Sequence, residues 1–163
     1  MSDPSVLVLE FNELTPRLMH QWMDAGLLPG FRRLHDEATC YTTDAEESGT
    51  RLEPWVQWVT AHTGLSSAEH GILDLDDGHK LRQPRIWDTA SDVGRRVWVC
   101  GSMNAGKHGE HLNGAIVPDP WASRLEPDPK EEFDPFFKLI SSYVKEYASD
   151  KVGLGAMDYV RFG

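Results

Sequence analysis

The sequence predicts an α/β fold built on a largely parallel sheet. Two short runs, Val6-Leu7-Val8-Leu9 and Val97-Trp98-Val99-Cys100, read as strands buried on both faces, as strands of parallel sheets are. Segments with helical spacing lie between them, and strands alternating with helices give a parallel sheet covered by helices. Such sheets keep their sites at the carboxyl ends of the strands. That puts Glu10 to Glu13 and Gly101 to Lys107 on the functional edge.

The elements follow in order. After Val6–Leu9, Thr15-Pro16 supplies a helix cap followed by proline at the first helical position. Leu18, Met19, Trp22 and Met23 recur at helical spacing, and Gly26 is the stop. A second helix is expected from Pro29 to Ala38 with Phe31 and Leu34 inward, and Cys40 to Thr43 resembles a strand. Ala45 to Gly49 is polar and loop-like. A helix through Trp55, Trp58, Val59 and His62 ends near Gly64, and Asp74 to Lys80 is an acidic loop. Ile86 to Val93 reads as a short helix stopped by Gly94, and Val97–Cys100 follows as a strand. Gly101 to Gly114 has no periodicity and reads as a loop before a short strand, Ala115 to Val117. The prolines from Pro118 to Pro135 break regular structure. Beyond them Phe133, Phe136, Phe137, Ile140, Val144 and Tyr147 make one apolar helical stripe, which needs a partner surface and favours self-association.

Composition narrows the partners. The 163 residues carry a formal net charge of −10, which disfavours a nucleic-acid backbone or an anionic membrane. A phosphorylated substrate stays possible, because a bound metal reverses the local field. Cys40 and Cys100 are the two cysteines, expected as reduced thiols in or near a core, so neither a disulfide framework nor a cysteine-rich zinc site is predicted. No apolar run reaches the length of a signal peptide or a membrane span, and a cytoplasmic protein is expected.

The series of motifs is more informative than any one of them. Leu28-Pro29-Gly30-Phe31 is followed by Thr63-Gly64-Leu65 and Glu69-His70-Gly71-Ile72. Ile86-Trp87-Asp88, Gly94, a strand, Asn113-Gly114 and Pro118-Asp119-Pro120 come next. This order resembles the N-terminal half of the type I phosphodiesterase and nucleotide pyrophosphatase branch of the alkaline phosphatase superfamily, over about residues 6 to 121. The resemblance implies a three-layer α/β/α sandwich with two metal ions, commonly zinc. It also implies a threonine or serine at a helix N-terminus that attacks phosphorus. Two metals would stabilise the attacking and leaving oxygens, and the helix terminus would favour the anion. Small phosphorylated or sulfated esters are the implied substrates.

Carried onto this sequence, the pattern selects Asn12 as a metal ligand where the family has aspartate, with Glu10 on the same strand face and Glu13 beside it. Counting back nine residues from Thr63 reaches Pro54, which cannot be a nucleophile; a small insertion selects Thr50 or Ser48. Thr50 also opens a Thr-x-x-Glu capping pattern with Glu53, so a helix cap is the alternative. The family's remaining ligands belong to its C-terminal half. The 163 residues are therefore expected to be an N-terminal part, inactive alone, with residues 122–163 a connector and amphipathic helix leading onward. A non-catalytic binding module on the same scaffold is the second reading.

Three rival sites are weaker. Gly101-x-x-x-x-Gly106-Lys107 follows a strand as a phosphate loop does, but His108 replaces its serine or threonine and no helix pattern follows. His108 and His111 lie in the same irregular loop and read as solvated rather than as metal ligands. Asp74, Asp76, Asp77 and Gly78 approach a calcium loop, but the glycine falls one position early and Arg85 occupies the closing glutamate's place.

Overall fold

A computed structural model describes residues 5–147, with side chains described through residue 144. The tail Lys151 to Gly163 and the Tyr147 side chain lie outside the described residues. The chain divides into two compact units, Met1–Ala45 and Glu46–Gly163.

The first unit is a helical hairpin. Helix α1 spans Pro16–Asp24 and α2 spans Pro29–Glu37. Each starts with proline at its first positions, where the missing N–H costs nothing. Between them the Leu27 N–H donates to the Trp22 carbonyl at 2.9 Å across the Gly26 turn. Arg32 pairs with Asp24 across the hairpin, and Phe11 packs edge-on against Phe31 at 5.5 Å. Burial is slight. Among described residues 5–45 only Met23 is buried, and Leu34, expected inward, is 58% exposed.

The second unit carries the sheet. Helix α3 (Pro54–Thr63) ends on left-handed Gly64, and α4 (Ser67–His70) ends on left-handed Gly71. Helix α5 (Ile86–Asp92), β1 (Val97–Cys100), β2 (Gly114–Val117) and α6 (Lys130–Tyr147) complete it. β1 and β2 pair in parallel with Val97 opposite Gly114 and Cys100 opposite Val117. The fold is thus α/β, with a small parallel sheet among helices. Its core joins Trp87 of α5 to Val99, Ile116, Ala105 and Leu112, and a second cluster joins Val59, Ile72 and Leu81.

Several expectations are corrected. Val6 to Leu9 forms no strand among the described residues; it is an irregular segment with Val6 88% exposed. Its four apolar residues are all more than half exposed, and apolarity alone does not make a strand without a neighbour to accept its backbone bonds. Cys40 to Thr43 likewise forms no strand, and Cys40 and Cys100 are both exposed rather than in a core. Pro135 lies inside α6 instead of ending the proline-rich stretch, since that helix already starts at Lys130. α4 was not foreseen. A reciprocal cap holds it, with Glu69 Oε2 accepting from the Ser66 N–H at 2.9 Å and from its hydroxyl at 2.7 Å. No described helix is long and apolar enough to cross a membrane.

Candidate functional site

The parallel pair aims one loop, Gly101 to Asn113, away from the carboxyl end of β1. Asn104 is its anchor. It is fully buried and takes a left-handed conformation with φ of 54°, which asparagine tolerates better than most residues. Its Oδ1 accepts from the Gly78 N–H at 3.0 Å. Its Nδ2 donates to the carbonyls of Trp55 at 3.2 Å and Asp74 at 3.1 Å. Its own N–H donates to Asp119 Oδ2 at 3.0 Å. One residue therefore ties together the start of α3, the acidic loop and the segment after β2.

Arg85 closes the knot from below. It is 2% exposed, and its Nη2 donates to the carbonyls of Gly78 at 3.0 Å and Asn104 at 2.9 Å. The guanidinium lies 5.8 Å from the Trp87 ring centre. Burial pushes its pKa down to about 10, against the opposing pull of Asp88, so it is still charged at neutral pH. The Asp88 carboxylate accepts from the Arg85 N–H at 2.8 Å and the His108 N–H at 2.9 Å, which fixes the far side of the loop. Burial raises the Asp119 pKa, and backbone N–H groups of Asn104, Trp121 and Ala122 partly offset that.

His62, on α3, and His70, in the resembling motif series, also have packing roles. His62 is buried, stacked on Trp58 and 4.7 Å from the Trp87 ring, with Nε2 3.2 Å from Ser102 Oγ. His70 Nδ1 accepts from the Ile72 N–H at 3.0 Å, so its Nε2 carries the proton toward Thr60 Oγ1 at 3.2 Å. Burial lowers the His70 pKa below its ordinary 6.5, with Glu47 and Glu69 opposing. The unfolded chain then binds the proton more readily than the folded one, so stability is fully present above pH 6.5 and falls as pH drops below it. Urea midpoints compared at neutral pH and about one unit below 6.5 should therefore fall more for the wild-type chain than for His70→Asn. An equal fall in both would exclude His70 as the source.

The predicted site residues fall as follows. Thr50 lies exposed on a 3₁₀ turn, Gly49–Arg51, just ahead of α3. It does not cap that helix: Glu53 occupies the N-cap position, with no side-chain bond there. Ser48 precedes the turn and is also exposed. Glu10 is half-buried, Asn12 is exposed, and Glu13 takes a left-handed φ of 55°. These three belong to the first unit and Thr50 to the second. Lys107 binds the Glu110 carbonyl and the Asp128 carboxylate, both at 2.8 Å, in place of a phosphate. His108 and His111 are exposed.

Among the described residues no group of three or more His, Cys, Asp or Glu side chains is positioned to hold an ion. A two-metal centre needs several ligands per ion, more than Glu10, Asn12 and Thr50 number by themselves. Asn104, Arg85 and Asp119 escaped sequence reading. An asparagine in a glycine-rich loop carries no periodic signal, and its five partners are spread over residues 55 to 119. No protein-family model, curated protein or solved structure matches the chain.

Proposed function

We propose that this chain supplies the nucleophile-bearing part of a phosphoric- or sulfuric-ester hydrolase of the alkaline phosphatase type, with Thr50 as the attacking hydroxyl. One observation carries the reading. The motif series from Thr63-Gly64 to Asn113-Gly114 lies within a single compact unit, where Trp87 and Asp88 bind the loop beyond β1. Gly64 ends α3, His70 locks Ile72, Asp88 clamps His108, and Asn113 leads into β2 and donates to the Gly94 carbonyl at 3.1 Å. Thr50 has an exposed hydroxyl beside the start of α3. The described residues do not fit a metal centre, so no step is routed through one; zinc ions would need ligands from outside them. The substrate class is a small phosphorylated or sulfated ester, and the acidic net charge argues against nucleic acid. We assign a cytoplasmic setting, where two free thiols stay reduced.

The neutral Asn12, where the resemblance has aspartate, favours a second reading: a binding module that keeps the scaffold without catalysis. The two separate on one experiment. The protein is expressed from its full reading frame, supplied with zinc, and assayed on an aryl phosphodiester, a phosphomonoester and an aryl sulfate. Hydrolysis of at least one is expected, and Thr50→Ala should lower kcat by roughly 10³-fold or more. Unchanged turnover in Thr50→Ala would move the role to Ser48 or water. No hydrolysis of any of the three esters would leave the binding module standing.

A further inference from the structure

We draw no further inference here: the strongest candidate, the outer edge of β1 with exposed Trp98 and Cys100 beside Phe133 of α6, pairs with no strand among the described residues, and nothing in the structure shows what covers it.

Discussion

Asn104→Ala should cost the second unit about 3–5 kcal/mol, seen as a large fall in the urea midpoint with little change in its slope. The substitution removes three side-chain hydrogen bonds at once. It strands the Gly78 N–H, which is buried, and frees the partly covered carbonyls of Trp55 and Asp74. A buried donor left without a partner costs about 1–3 kcal/mol, and each lost bond about 1 kcal/mol. Alanine also pays about 1 kcal/mol to hold the left-handed φ of 54° that asparagine tolerates. A total of this size is a large share of the whole stability of a small domain. Asn104→Asp separates the parts. It keeps the acceptor for Gly78 and the tolerance for positive φ, but sets a carboxylate oxygen against two carbonyls. It should therefore also destabilise, and more at neutral than at acid pH. A loss below about 1 kcal/mol for Asn104→Ala would mean that the bonds from Arg85, Asp88 and Asp119 hold the loop beyond β1 without the Asn104 side chain.

Gly114→Ala is expected to be comparably severe, by a different mechanism. Gly114 opens β2 with φ of 144°, a conformation essentially reserved for glycine. A Cβ there would press into the Val97 carbonyl oxygen and sit 2.8 Å from both the carbon and nitrogen of Val97. Those atoms are backbone, and Val97 is the residue paired with Gly114, so only separation of the two strands relieves the clash. The expected loss is about 3 kcal/mol or more, a fall in Tm on the order of 10 °C. Gly94→Ala is the control. Gly94 also has positive φ, but a Cβ there meets nothing within 4 Å, so it should cost only about 1 kcal/mol of backbone strain. Equal effects from the two variants would mean that the clash is relieved without separating the strands.

Elements with local signals were readable from the sequence. Pro16, Pro29 and Pro54 fix helix starts through their own φ, and Gly26 and Gly64 supply the left-handed stops. Val97–Cys100 announced itself through four consecutive strand-forming residues, and Ala115 to Val117 through three apolar ones. Val6–Leu9 is as apolar as β1 and yet forms no strand, because a strand depends on a neighbour that sequence periodicity does not describe. The knot around Asn104 was unreadable for the related reason that it is made of backbone carbonyls and amides, which every sequence possesses. Thr50 stood out through family order alone; it lies ahead of α3, and its supposed capping bond to the helix is absent.

The sheet has one blocked side and one open side. β2 is bonded to β1 on one edge, and on its other edge Ile116 exchanges both backbone bonds with Asp128, at 2.8 and 2.9 Å. β2 is therefore already an interior strand, closed off by a residue of the segment leading into α6. On β1 the amides of Val97 and Gly101 turn toward β2, so by alternation those of Trp98 and Cys100 turn outward. The side chains of Trp98 and Cys100 are exposed as well. Any enlargement of this sheet can proceed in one direction only, by adding a strand alongside β1. Such an addition would bring the new strand's end level with the loop that Asn104 anchors, so the geometry of growth and the geometry of the candidate site share one boundary.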